Sequence, residues 1–87
     1  MEIKYSHEFL KEFRKCPSKI KFGFKKRLEI FIANKYQIIL KNHPLQGEYK
    51  NRRSINITGD WRAIFKEADD GQTIYFLAIG THNQLYS

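Results

Sequence analysis

The sequence predicts an α+β fold: an N-terminal strand, a two-helix hairpin, then a three-stranded antiparallel meander. Three patterns predict it. Apolar residues recur at helical spacing in the first half, at Phe9, Leu10 and Phe13 and again at Ile20, Phe24, Leu28, Phe31 and Ile32. They alternate with polar residues through Arg53–Ile57 and Trp61–Lys66 in the second half. Turn residues, Gly59-Asp60 and Asp69-Asp70-Gly71, separate the strand-like runs. The 87 residues make one domain, spanning 1–87, with no room for a second.

Taken in order, Glu2 to Tyr5 alternates and reads as a short strand. Ser6 is placed to cap a helix from about His7 to Lys15, with Glu8 in the first turn where the macrodipole favours an acid. Pro17 suits the first position of a second helix. Gly23 costs about 1 kcal/mol inside that helix and is read as a point where another backbone comes close. Tyr36 to Leu40 ends the helix or forms a separate turn. The segment from Asn42 to Tyr49 is loop-like, with His43 biased to an extended conformation by Pro44. Ile55 and Ile57 are expected to face the core, and Ser54, Asn56 and Thr58 to face away. Trp61, Ala63 and Phe65 take one face of the next strand and Arg62, Ile64 and Lys66 the other. Thr73 to Ile79 is continuously apolar, as expected of a central strand buried on both faces. The helices should cover one face of the sheet and leave the other open.

Composition narrows the function. Sixteen Lys and Arg against nine Asp and Glu give a net charge of +7 and a pI of about 9.7. This is the footprint of a polyanion binder. The charge is uneven: residues 1–53 hold a net +9 and residues 54–87 a net −2. Lys25 and Lys26 belong to a run from Lys11 to Arg27 with eight basic residues and one acid. That run reads as a solvated helical face or as a surface that tracks RNA phosphates. The lone cysteine, Cys16, excludes an internal disulfide, and no metal-ligand cluster or cofactor motif is present. There is no signal peptide and no apolar run long enough to span a membrane, so a reducing cytoplasm is the expected compartment.

Three segments carry the candidate chemistry: the loop at His43, the hairpin from Arg53 to Arg62, and the end of the chain from His82 to Tyr86. Metal-free RNA cleavage needs a base for the ribose 2′-hydroxyl, cations for the phosphate and an acid for the departing oxygen. Histidine suits both proton roles, and an aromatic ring can stack on a base. His43, Asp60, Arg53, Arg62, His82 and Tyr86 supply these groups. Taken alone, they define a small basic α+β domain that binds RNA.

The stretches His43-Pro44-Leu45-Gln46-Gly47, Gly59-Asp60-Trp61 and Gly80-Thr81-His82 with Leu85-Tyr86 resemble the RelE/ParE superfamily of bacterial toxins, and most of all its YafQ-type mRNA interferases. The resemblance implies a RelE-like β-α-α-β-β-β domain and a toxin that cleaves mRNA in the ribosomal A site without a metal. It implies His82 as general acid and His43 as base or phosphate partner. It further implies Asp60 as base or orienter, Arg53 on the phosphate and Tyr86 as the ring that positions a nucleotide. Arg62, Asn56, Lys25 and Lys26 would touch RNA. The implied partners are a cognate antitoxin, the ribosome with its mRNA, and operator DNA bound only through the toxin–antitoxin complex; no membrane is involved. The sequence departs from the family pattern where Ser54 replaces an acid and Asn56 a histidine. A gyrase-inhibiting toxin of the ParE kind and a non-catalytic RNA- or partner-binding module are the alternatives on the same fold.

Overall fold

The computed structural model describes residues 1–86, without the side chain of Glu48. Its elements run β1 (Glu2–Tyr5), α1 (His7–Lys15), α2 (Ser18–Ala33), β2 (His43–Pro44), β3 (Arg53–Thr58), β4 (Trp61–Ala68), β5 (Thr73–Thr81) and α3 (His82–Tyr86). The strands form one sheet in the order β1-β5-β4-β3-β2. β1 runs parallel to β5, and the other neighbours are antiparallel. The expected strand, helical hairpin and meander are all present. Two elements are additional: β2, a two-residue edge strand in which Pro44 is tolerated because edges need fewer ladder donors, and α3.

Local chemistry sets the helix ends. Ser6 Oγ accepts from the Phe9 N–H at 2.9 Å and donates to the Leu77 carbonyl at 3.2 Å, so the cap also ties α1 to β5. Pro17 precedes α2 as its cap instead of opening it; its carbonyl accepts from the Ile20 and Lys21 N–H groups. The segment after α2 becomes a 3-10 turn at Ile38–Leu40. Ile20, Phe24 and Phe31 are buried, whereas Ile32 and Leu10 are about half exposed. Each helical residue turns about 100° from the last, so the neighbours of Phe31 and Phe9 swing off the buried stripe.

The core lies between α1, α2 and one face of the sheet. Phe76 on β5 is its hub, with ring centroids 5.2 Å from Phe24, 5.6 Å from Phe65, 5.7 Å from Phe9 and 5.9 Å from Phe31. Gly23 does not meet a backbone: a Cβ there would lie 3.4 Å from Ile57 Cγ2 and 4.0 Å from Thr58 Cγ2. It lets α2 settle on the branched side chains of β3.

β5 is an interior strand, as expected, paired on both sides by β1 and β4. Two expectations about the sheet are corrected. The strand buried in succession on both faces is β4, at Ala63, Ile64 and Phe65, and not β5. In β5 a register shift leaves Leu77 unmatched between Phe76 and Ala78. Core positions therefore change from even to odd, Ile74 and Phe76 before the shift and Ile79 after it. The continuous apolar run reflects this change of parity, and Tyr75, Leu77 and Ala78 are only partly buried. Finally, the face opposite the helices is not open at its centre. Ser54 and Ile64, paired across β3 and β4, are fully buried. On this side the segment after β2 meets α3, where Tyr49 Oη donates to the Leu85 carbonyl at 2.8 Å. Among the described residues no helix is long and apolar enough to cross a membrane.

Truncating the hub should be costly. Phe76→Ala is expected to lower unfolding free energy by about 3–5 kcal/mol, a large share of the roughly 5–15 kcal/mol of a small domain. Urea denaturation measures it. Phe76→Leu, which keeps most of the volume, should retain the fold at a smaller cost, and equal stability of Phe76→Leu and the parent would contradict the hub.

Candidate active site

A cleft of about 330 Å³ opens on the face away from α1 and α2, lined by His43, Leu45, Arg62, His82 and Tyr86. Four of these were expected from the sequence, and they reach the cleft from β2, β4 and α3.

His43 stands on the edge strand, where its Nδ1 lies 2.7 Å from the Lys41 carbonyl oxygen. A carbonyl only accepts, so this bond places the proton on Nδ1. The Nε2 lone pair of the neutral ring is then free for a substrate proton. Arg62 Nη1 donates to the carbonyls of Gly59 at 2.9 Å and Trp61 at 3.0 Å. The turn thereby fixes the guanidinium, and its remaining N–H groups have no partner among the described residues.

His82 and Tyr86 are four residues apart on α3, so their rings meet on one helical face with centroids 4.6 Å apart. Five residues are too few for a helix to persist unaided, and local bonds hold this one. The Thr81 N–H donates to Gln84 Oε1 at 2.8 Å, and the Gln84 N–H donates to Thr81 Oγ1 at 3.2 Å. This is a capping box. The His82 N–H donates to the Asp60 carbonyl at 2.8 Å, joining the histidine to the β3–β4 turn. At the other end Tyr49 caps the Leu85 carbonyl and stands edge-on to Tyr86 at 5.9 Å. Gly80 admits the fold-back: a Cβ there would be 3.0 Å from Gln84 Oε1 and 3.4 Å from Leu85 Cδ2.

The remaining candidates are not brought to the cleft lining. Arg53 points to the opposite face: Nε donates to Asn42 Oδ1 at 2.7 Å, and the guanidinium lies 5.8 Å from the Tyr36 ring centre. Strand alternation dictates this, because Arg53 shares the parity of Ile55 and Ile57. Asp60 is exposed and makes no ion pair with Arg62; its link to the site is its backbone carbonyl. Asn56 sits beside Arg62 in register, but its Oδ1 is buried without a partner, as is Ser54 Oγ. Lys25 and Lys26 are exposed on α2, on the helix layer. Tyr86 packs on Tyr49 and His82 and does not line the cavity that holds Trp61. Cys16 lines that other cavity, of about 280 Å³. Burial pushes its thiol pKa up, against the opposing pull of Lys21, so the thiol stays protonated and unreactive. Among the described residues no group of three or more His, Cys, Asp and Glu is placed to hold a metal ion.

Sequence reasoning missed Tyr49 and the Thr81–Gln84 pair. The pair was legible as the capping signature Thr-x-x-Gln. Tyr49 carried no signal, because its partner is a carbonyl 36 residues away.

With the geometry established, comparison identifies the lineage. All of residues 1–87 match the family model described as the bacterial toxin of type II toxin–antitoxin systems, YafQ. The chain belongs to the YafQ toxin family. The mRNA interferase toxin YafQ of Escherichia coli K12 is 29% identical over 89 residues, covering 98% of this chain and 95% of the relative. The crystal structure of YafQ from E. coli BL21(DE3) superposes with a TM-score of 0.82 at 27% identity, covering 99% of this chain and 98% of that one. The toxin in the E. coli DinJ–YafQ toxin–antitoxin complex superposes with a TM-score of 0.79 at 28% identity, covering 99% and 97%. The family resemblance and the α+β architecture expected from the sequence therefore stand, and the protein is a toxin of a type II toxin–antitoxin system.

The Tyr49 clamp has a measurable consequence. Tyr49→Phe keeps the ring and removes one hydrogen bond, worth about 1 kcal/mol. Native-state hydrogen exchange should show the α3 amides opening roughly fivefold more often, with core strands unchanged. Unaltered α3 exchange would show that the bond does not hold the helix.

Proposed function

We propose that this toxin is an endoribonuclease that cleaves mRNA in the ribosomal A site and so halts translation in the cytoplasm. The observation that carries the reading is the convergence of two histidines, an arginine and a tyrosine from three separate elements on one cleft. Two proton carriers, a fixed cation and a stacking ring are what phosphodiester cleavage by an internal nucleophile requires.

In the proposed reaction His43 Nε2 takes the proton of the ribose 2′-hydroxyl. The 2′-oxygen attacks the adjacent phosphorus and the bond to the 5′-oxygen breaks. His82 gives its proton to that oxygen. The products are a 2′,3′-cyclic phosphate and a 5′-hydroxyl, and no metal ion takes part. Arg62 neutralises charge on the phosphate in the role first given to Arg53. Tyr86 stacks on a flanking base. Asp60 orients His82 through its backbone carbonyl. Lys25 and Lys26, on the helix layer, contact ribosomal RNA and not the scissile strand. A cognate antitoxin opposes the activity, and the basic surface suits an acidic amphipathic segment of that partner. Operator DNA is reached only through the toxin–antitoxin complex.

The deciding experiment adds the protein to translating ribosomes and maps mRNA ends. Cuts bearing cyclic phosphate should appear in the A-site codon. His82→Ala should lower cleavage by roughly 10²–10⁴-fold with ribosome binding retained, and full cleavage by that variant would remove His82 as the acid. A supercoiling assay with gyrase in parallel should show no inhibition.

A further inference from the structure

A second basic concavity lies beside the cleft: a groove of about 520 Å³ lined by Pro44, Leu45, Lys50, Asn51, Arg52, Arg53 and Glu67. Leu45 lines both, so the groove meets the cleft at the β2 edge of the sheet and leads from there toward the opposite face, where Arg53 points. We propose that this groove is a second phosphate subsite, in which Lys50, Arg52 and Arg53 hold the backbone of the RNA strand as it passes beyond the scissile bond. The inference rests on the endoribonuclease reading above.

Two features distinguish the groove from an ordinary solvated basic patch. Its arginines are held in place before any ligand arrives. Arg53 is fixed through Nε by Asn42, itself tied to the Lys35 carbonyl at 2.9 Å, and by the Tyr36 ring. Its terminal nitrogens have no protein partner among the described residues, which leaves the forked end for a phosphate. The Arg52 guanidinium lies over the Tyr49 ring, 6.0 Å from its centre, and the backbone N–H of Arg52 donates to the Tyr49 carbonyl at 3.1 Å, which fixes the chain at this point. The second feature is charge. The one carboxylate lining the groove, Glu67, is neutralised by Lys35 at 2.7 Å. Among the described residues three cations therefore line the groove and its one carboxylate is already paired, and an anchored side chain such as that of Arg53 loses less entropy on binding.

The ligand favoured is a phosphodiester backbone and not a peptide. The groove adjoins the cleft where a phosphate must lie, and three of its polar lining residues, Lys50, Arg52 and Arg53, are cationic donors, while the one carboxylate among them, Glu67, is held by Lys35. Arg52 also lies over the ring of the tyrosine that clamps α3, so the groove and the catalytic helix meet at Tyr49.

The test uses the full chain carrying His82→Ala, which prevents turnover, with fluorescently labelled single-stranded RNA of roughly ten nucleotides and a dinucleotide as short probe. The parent should gain affinity with length, and Lys50→Gln/Arg52→Gln/Arg53→Gln should lose most of that gain. Each phosphate contact on single-stranded RNA contributes about 0.7 to the slope of log affinity against log salt, so the triple variant should flatten it by about 2. A charge-matched control on the exposed side of α1, Lys11→Gln/Arg14→Gln/Lys15→Gln, should leave the slope for this short RNA near the parent's. Should loss of the Arg53–Asn42 bond unfold the triple variant, Lys50→Gln/Arg52→Gln should still flatten the slope by about 1.4.

An unchanged slope, or an equal change in the control, overturns the subsite. A loss confined to antitoxin binding also overturns it and assigns the groove to the protein partner. Failure of the parent to bind either RNA overturns the subsite as well, whereas the endoribonuclease reading falls only if the chain with His82 intact leaves mRNA uncut on translating ribosomes, so the two failures are distinct.

Discussion

The contact of Phe76 with four phenylalanine rings from α1, α2 and β4 is the constraint on which the remaining structure depends. A chain of this size buries only about 60–65% of its unfolded surface. It has one layer of helices to place against one face of a sheet. Aromatic rings make that single core sufficient, because each removes a large apolar area from water and adds edge-to-face attraction to its neighbours. With both long helices committed to one face, the opposite face receives only short pieces, β2, the turn around Tyr49 and α3. Those are the pieces that build the cleft.

This division explains why the site needs so many local fastenings. A five-residue helix has almost no stability of its own, yet it carries His82 and Tyr86. Its first turn is closed by the Thr81–Gln84 capping box, its first amide is held by Asp60, and its last exposed carbonyl region by Tyr49. Each bond is worth about 1 kcal/mol. Together they place two functional rings on an element that buries little besides Leu85. The register shift at Leu77 is part of the same device. It turns Ile79 into the core and leaves Gly80 on the cleft side, where the lack of a side chain lets α3 fold back.

The architecture was legible in the sequence where one physical rule acted alone. Helical stripes, the turn at Gly59-Asp60 and the succession of strands and helices along the chain needed only local periodicity. Errors arose where two rules met. Ile64 was assigned to solvent by alternation, but the middle strand of a sheet covered on both sides buries both parities. Arg53 was assigned to the cleft by resemblance, although its shared parity with Ile55 and Ile57 already turned it to the other face. His43, His82 and Tyr86 were identifiable by residue type and motif. Their common support, Tyr49, was not, since a hydrogen bond across 36 residues leaves no trace in local pattern.

Ser54 and Asn56 show how the departures from the family pattern fit this architecture. Both face the cleft side of β3, and both have a side-chain oxygen buried without a hydrogen-bond partner. An ionised acid at position 54, fully enclosed and next to Ile64, would lose its hydration with nothing to replace it. A serine hydroxyl loses far less. A histidine at position 56 would lie beside Arg62 in register, where the guanidinium would disfavour its protonated form. Asn56 carries no charge and leaves Arg62 as the cation of this corner. In the proposed reaction the proton transfers are then left to His43 and His82, which stand at the exposed rim of the cleft on the edge strand and the terminal helix, and β3 and β4 contribute shape and positive charge between them.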